Sequence, residues 1–324
     1  MSKFAAIDVG TNTILMLIAD IAADGSFSIL NDRSEIPRLG QGVDQTRSLS
    51  SAGMERAVAV LRDYMRECRQ SGVDEVAAVG TSALRDAVNA KTFTERLKRE
   101  FKLELRVLSG AEEAAYSYLS VRKGLNIDAP QVLVVDVGGG STEFIWAKDG
   151  KLQGWASIDV GAVRLTERHF RSDPVLPDEC ARLVSAVDQS LAKLLADWGG
   201  KISAPKMVGI AGTFTTMAAV QKGLRHYSHS EVHGFRLRRA EIERQTALYR
   251  SKTVAERKQI AGLEPMRADV ILAGALLTER ILHLFGADEA IVSDQGIRYG
   301  LLYEKLAVSS QRSAISKEKN SNQC

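Results

Sequence analysis

Cysteine is scarce in this 324-residue chain: Cys68, Cys180 and Cys324 lie far apart and out of metal-ligand spacing. An odd, scattered set excludes a disulfide framework and a zinc site, and it points to a reducing compartment. No apolar run approaches the ~18 residues of a membrane span, and the first residues enter a strand by Phe4 without a basic and apolar leader. The expected location is the cytoplasm, with no membrane partner. Charge of one sign is not in excess: 43 Lys and Arg stand against 40 Asp and Glu, which gives no reason to expect nucleic acid. G-x-x-x-x-G-K-[ST] and G-x-G-x-x-G are both missing, which sets aside the P-loop and dinucleotide-binding folds. What is present is 45% hydrophobic residues over a length that suits two domains, each with its own core.

The pattern along the chain repeats. Strands over 4–9, 14–20 and 27–31 form a β-meander, with a glycine turn after the first and a DG turn at 24–25. Helix then alternates with strand. Residues 50–72 carry an apolar stripe at helical spacing ending at Gly72, residues 75–79 read as a buried strand, and strand 103–108 with helix 110–123 closes the unit. The sequence then restarts with strands over 131–136, 142–147 and 151–158, a KDG turn at 148–150 and a long helical stretch from 174. Aligning Asp8 with Asp136 superposes Val9 on Val137 and Gly10 on Gly138. Two α/β domains of like topology, facing each other across a cleft, are the simplest architecture, with a hinge near 124–130.

The two glycine turns carry the chemistry. Glycine lets backbone N–H groups point outward with no Cβ in the way, forming a concavity for anions. Gly138, Gly139 and Gly140 suit that role. Ser141, Thr142, Thr11, Asn12 and Thr13 add neutral donors. The aspartate at the strand end, beside phosphate oxygens, is best explained as a direct or indirect Mg²⁺ ligand. One such turn alone would read as a tight hairpin, but two in register, each led by Asp, argue for phosphate binding.

Paired D-x-G turns opening two β-meanders resemble the actin, sugar-kinase and heat-shock chaperone superfamily, and VGIAGTFTTMAAV (208–220) resembles its third, glycine-bearing motif. Within it, AIDVGTNT, AVGTSALRDA, VLSGAEEA, VVDVGGGSTEF, VHGFRL and SDQGIRYGLL follow in order the motifs of the exopolyphosphatase and guanosine pentaphosphate phosphohydrolase family, over roughly residues 3–305. The resemblance implies an α/β fold of two actin-like (ribonuclease H-like) domains, 1–125 and 126–296. A final segment, 297–324, would begin with a helix that returns to the first domain and end in a frayed polar tail. It also implies hydrolysis of a terminal phosphoanhydride in polyphosphate or guanosine pentaphosphate, Mg²⁺ as cofactor, and a homodimer.

Which residue activates water has a local answer and a borrowed one. Ser109 and Glu112 have capping-box spacing, so Glu112 is occupied by the helix terminus. Glu113 has no such duty and projects about 100° further round the helix; Ala111, Ala114, Ala115, Tyr118 and Leu119 form the apolar stripe. Locally Glu113 also suits a surface position favoured by the helix dipole, but the resemblance makes it the catalytic glutamate. The same resemblance assigns Asp136 to Mg²⁺ with Glu143 as a helper. It places Gly10, Thr11 and Asn12 on the phosphate from one side and Gly138 to Ser141 from the other. Arg85 clamps phosphate oxygens with its bidentate fork, and Arg267 is a second candidate; Arg298 matches a motif position without an assigned role. His226, His229 and His233 read as a loop in a basic cleft wall that attracts polyanions, rather than as metal ligands. Longer family members continue into further helical domains, so chain-length preference stays open. An ATP-dependent kinase and a nucleotide-switched filament protein are the competing readings.

Overall fold

Alternation along β1 (Ser2–Val9) sends Ala5, Ile7 and Val9 into one core and Phe4 and Ala6 into another. A strand buried on both faces belongs inside a sheet. In this computed structural model, which describes residues 2–127, 129–198, 202 and 205–308, β1 sits at the centre of five strands. They are β1, β2 (Ile14–Ile21), β3 (Phe27–Glu35), β4 (Glu75–Gly80) and β5 (Leu105–Val107), in the order β3-β2-β1-β4-β5. The polar tail from 309 lies outside the described residues. The third strand runs to Glu35, past the expected end at 31, because an edge strand tolerates the charged Asp32 and Arg33 that read as a terminus.

The second sheet repeats the first. It contains β6 (Gln131–Val137), β7 (Thr142–Lys148), β8 (Lys151–Ile158), β9 (Lys206–Ile210), β10 (Arg236–Arg238) and β11 (Glu289–Val292), ordered β10-β11-β9-β6-β7-β8. Leaving out β10, each sheet has its first strand in the middle, an antiparallel meander on one side and parallel strands on the other. This is the two-domain α/β fold that the repeat predicts.

Helices cover both faces. The Ser51–Gln70 helix, capped by the Ser50 side chain on the Gly53 N–H, buries Val58, Leu61, Tyr64 and Met65 against the first sheet. Each large apolar side chain so buried contributes about 1.5–3 kcal/mol. On the second sheet the corresponding core is built by helices Pro177–Trp198, Ala211–Lys222, Arg239–Arg250 and Ile271–Leu284.

The remaining two faces are covered by exchange. The Gly110–Gly124 helix, which the sequence places at the end of the first unit, packs Ala114 and Val121 on Val134, Ile145, Val208 and Ile210 of the second sheet. Residues 297–308 are helical and pack Ile297, Leu301 and Leu302 on Phe4, Ala6 and Leu17 of the first. Each crossing passes beside the cleft. Its buried stripe also differs from the expected one: Ala111 and Ala115 are exposed, whereas Glu113, Ser117 and Ser120 are buried. One helix face is therefore polar because it meets a site rather than a core. Among the described residues, no helix is long and apolar enough to cross a membrane.

Candidate active site

The cleft between the units encloses about 840 Å³ and is lined by both glycine turns. They are built alike. The Gly10 N–H donates to the Thr13 carbonyl at 3.0 Å, and the Gly138 N–H donates to the Ser141 carbonyl at 3.1 Å. In each turn the carbonyls are held from behind. Those of Thr11 and Asn12 accept from the N–H groups of Gly40 (2.8 Å) and Arg38 (3.0 Å). The Gly138 carbonyl accepts from Ala162 N–H, the Gly139 carbonyl from Val163 and Arg164 N–H, and the Gly140 carbonyl from Arg164 Nε at 2.6 Å. With carbonyls turned away, the N–H groups of Thr11, Asn12, Gly139, Gly140 and Ser141 are left with no protein acceptor among the described residues. The result is a concavity lined by N–H donors, of a kind that can accept an anion.

The turns also touch. A Cβ on Gly139 would lie 3.2 Å from Thr11 Cβ, one on Gly140 would lie 2.8 Å from Ser82 Oγ, and Thr11 Oγ1 and Ser82 Oγ are hydrogen bonded at 2.8 Å. A third element faces them. The Ala211–Lys222 helix begins in the cleft without a side-chain cap, so its first N–H groups add to the anion-binding wall. Its entry is strained, with Ala211 at φ 67°.

Opposite this donor array lie carboxylates. Asp8 and Asp136 end the two central strands, both buried, and both line the cleft with Glu113. Ser117 donates to Asp136 Oδ2 at 3.2 Å, whereas Asp8 Oδ1 is buried with no partner among the described residues. Burial, followed by repulsion from Glu113 and Asp136, pushes Asp8 up to about 8. Burial and then Glu113 push Asp136 up to about 7 against the pull of Ser117. For Glu113 burial raises the pKa and Arg85 opposes it. Arg85 Nη1 donates to Glu113 Oε2 at 2.5 Å and to the Leu108 carbonyl at 3.0 Å, so Oε1 is left facing the cleft.

Crowded, desolvated acids beside an orphaned carboxylate oxygen fit a divalent cation. Among the described residues no group of three or more His, Cys, Asp or Glu is arranged to hold one. A cation there would be held by few carboxylates and completed by water and phosphate, the mode Mg²⁺ favours.

Several expected residues sit elsewhere. Glu143, expected beside the metal, does not line the cleft; its Oε1 accepts from Ser141 Oγ (2.8 Å) and Ser157 Oγ (2.7 Å). Burial and the neighbouring acids hold its pKa well above the usual range. Arg85, expected on phosphate, backs Glu113 and lies 3.9 Å from Glu143, outside the cleft lining. Gly140 likewise contributes to the back of its turn rather than to the cleft wall. Arg267 does line it, donating to Thr13 Oγ1 at 3.1 Å and lying so close over Gly212 that any Cβ there would meet its guanidinium at 2.0 Å. Arg298 is spent on Asp32, to which it donates twice, at 2.9 and 3.0 Å.

In the histidine stretch, the charge of His229 is matched by an acid. His229 Nδ1 pairs with Asp294, whose other oxygen accepts from Tyr227 at 2.6 Å. That bond raises the pKa of His229. Its partner is 65 residues distant in sequence and invisible to local reading.

Three residues of the site went unread. Asp8 was legible from the repeat, which aligns it with Asp136. Ser117 falls one turn after Glu113, and only its burial shows that it holds Asp136. Arg164 carries no signal in the sequence.

Comparison with known proteins accords with this geometry. The profile of the Ppx/GppA phosphatase family matches residues 17–308. The chain is 33% identical to exopolyphosphatase 2 of Mycobacterium tuberculosis, over 93% of this chain and 98% of that protein. It is 29% identical to a guanosine-5'-triphosphate,3'-diphosphate pyrophosphatase of Vibrio atlanticus over 93% of its own length but 59% of that protein's, and it spans 46% of a bifunctional 3-dehydroquinate synthase/phosphatase of Fusobacterium nucleatum, at 30% identity. So it covers about half the length of these longer relatives. Among solved structures, the Ppx/GppA family member of Aquifex aeolicus superposes with a TM-score of 0.78 at 35% identity, covering 94% of this chain and 98% of that one. Two actin-like domains, paired amide-lined turns and a buried glutamate at their junction thus coincide with the sequence match, and the chain belongs to the Ppx/GppA phosphatase family.

Proposed function

We propose that this protein is a Mg²⁺-dependent phosphohydrolase that releases terminal orthophosphate from inorganic polyphosphate or from guanosine pentaphosphate. One observation carries the reading: two sets of free backbone N–H groups converge on a cleft in which the unpaired oxygen of a buried glutamate also opens. The names of the relatives supply the substrates. We place the reaction in the cytoplasm and the active protein in a homodimer, both on the family resemblance.

Phosphoryl transfer asks a protein mainly for positioning and charge neutralisation. Thr11 and Asn12 on one side and Gly139 and Ser141 on the other grip the terminal phosphate, and Arg267 with the Ala211–Lys222 helix terminus takes the next one. Asp8 and Asp136 would hold Mg²⁺, which would offset the charge on phosphate oxygens. Glu113 Oε1 accepts a proton from water as the water oxygen attacks the terminal phosphorus. The bond to the bridging oxygen breaks, and the shortened chain leaves with that oxygen. Arg85 keeps Glu113 aimed and ionised. Glu143 orients Ser141 rather than binding metal. Closing of the units, divided near residues 125 and 296, assembles these parts.

The test is phosphate release with Mg²⁺ from short polyphosphate, long polyphosphate, guanosine pentaphosphate and ATP in parallel. Release from one of the first three supports the proposal and selects the substrate. No release from any of them, with ATP still bound, removes it.

A further inference from the structure

The three carbonyls of the glycine run are all held by one helix, Ala162–His169, and the last is held by a side chain. Arg164 is buried, with 7% of its surface exposed, and its guanidinium has three engaged nitrogens. Nε donates to the Gly140 carbonyl at 2.6 Å, in the second unit. Nη1 donates to Asp44 at 2.6 Å and Nη2 to Asp86 at 2.6 Å, both in the first unit. Asp44 is shared with Arg168, which donates to it at 2.5 and 2.6 Å. A planar fork with fixed angles satisfies all three acceptors only when the units are closed.

Asp86 follows Arg85, the residue that holds Glu113. The short Ser82–Asp86 helix thus touches both halves of the chemistry. Arg85 reaches the base, Asp86 reaches the phosphate turn through Arg164, and Ser82 bonds Thr11 of the opposite turn. The close fit is unforgiving: a Cβ on Gly161, which precedes the helix, would lie 2.5 Å from the Gly139 carbonyl oxygen.

We propose that Arg164 is a positioning residue that makes the shape of the Gly138–Ser141 turn depend on closure of the two units. With Asp44 and Asp86 in reach, the fork pins the Gly140 carbonyl to the back of the turn and so keeps the Ser141 N–H, in the same peptide plane, on the cleft side. When the units separate, the two carboxylates leave, the guanidinium is free to rotate, and the Gly140–Ser141 peptide loses its fixed orientation while the Gly138 and Gly139 carbonyls stay held by the helix. Water entering an open cleft therefore meets an incomplete phosphate grip. This inference rests on the phosphohydrolase reading for its kinetic arm only.

The experiment compares wild type with Arg164→Met, Arg164→Lys, Asp86→Asn and the Asp86→Asn/Arg164→Lys double variant. Melting curves establish that each is folded. Steady-state release of phosphate from tripolyphosphate is then measured beside amide exchange of the 138–142 segment. Arg164→Met should lower kcat about 10–100-fold per folded molecule, the scale of a small misplacement of reacting groups, while KM changes less. Arg164→Lys should recover part of the loss. Asp86→Asn should lower kcat by loosening the fork that holds the Gly140 carbonyl, and the double variant should lose less than the product of its single losses. The 138–142 amides should exchange faster in Arg164→Met and Asp86→Asn.

A purely structural role would lower the melting temperature and leave kcat per folded molecule unchanged, which overturns the proposal. So would wild-type exchange of the 138–142 amides in both Arg164→Met and Asp86→Asn. If Arg164→Met does not fold, Asp86→Asn decides by the same two readouts. Absence of turnover by wild type on every substrate would remove the phosphohydrolase reading alone, and the exchange measurement would still judge Arg164.

Discussion

The turn at Gly10–Thr13 and the turn at Gly138–Ser141 share one hydrogen bond, one strand order and one leading aspartate, yet they are supported differently. The first is backed by two main-chain N–H groups from Arg38 and Gly40. The second is backed by a helix terminus and a buried arginine that reaches across to the first unit. Their aspartates differ as well: Asp136 is steadied by Ser117, whereas Asp8 keeps an oxygen without a partner. Duplication supplies a common backbone cradle, and the division of labour lies in the side chains behind it. The first unit presents a wall backed by its own main chain and a carboxyl oxygen without a partner; the second presents a wall tied to the first unit through Arg164.

Breaking the symmetry at the aspartates should give the largest effect. Asp8→Asn should lower kcat by at least about 10²-fold. It should also raise the melting temperature of the metal-free protein at pH above about 8, where the unpartnered buried carboxyl is ionised and the amide that replaces it is neutral. Asp136→Asn should lower kcat similarly but stabilise less, since Ser117 already satisfies one of its oxygens. Melting curves without Mg²⁺, read beside turnover, check both; a destabilised Asp8→Asn protein would contradict the account of that site.

Next comes the support of the base. Removing the guanidinium in Arg85→Met should lower kcat about tenfold and shift the acid limb of the pH–rate profile upward, because Arg85 is what opposes the effect of burial on Glu113. The base must be ionised to accept a proton, so its loss on acidification should then begin at higher pH. An unmoved acid limb would separate Arg85 from Glu113.

The pH dependence of stability sharpens the same comparison. Folding raises the pKa of Asp8 from 3.8 to about 8 and of Asp136 from 3.8 to about 7, so between these limits the folded state holds more protons than the unfolded one. By linkage, stability without metal should fall as pH rises from about 4 to 8. Added Mg²⁺ should raise the melting temperature, and more so at pH 8 than at pH 5, because ionised carboxylates bind it. A Mg²⁺ effect independent of pH would speak against these two ligands. The smallest effect concerns Ala211. At φ 67° it is strained, and Ala211→Gly should be neutral or stabilising by up to about 1 kcal/mol, the reverse of the usual penalty for glycine in a helix.

Much of this was legible in the sequence for a physical reason: strands alternate with period two, and glycine turns are bare where backbone must meet a ligand. Asp8 and Asp136, both turns and the capping box of Ser109 with Glu112 can all be read locally. What failed depends on distant neighbours. Glu143 carries a carboxylate in a suitable place along its strand, but Ser141 and Ser157 claim it. Arg85 has the fork that suits phosphate, but Glu113 lies nearer. The Gly110–Gly124 helix shows an alanine stripe in sequence, whereas its buried face is set by the exchange of helices between the two sheets. No spacing rule could place Arg164, whose three acceptors come from three separate segments.

The central claim is that Glu113 is the general base, and a single-turnover comparison of wild type and Glu113→Gln tests it most directly, with substrate binding measured on the same samples. The account predicts that tripolyphosphate binds with nearly unchanged affinity while the rate of phosphate release falls by roughly 10²–10⁴, the usual worth of a positioned base. Release at the wild-type rate by a folded Glu113→Gln protein would contradict it.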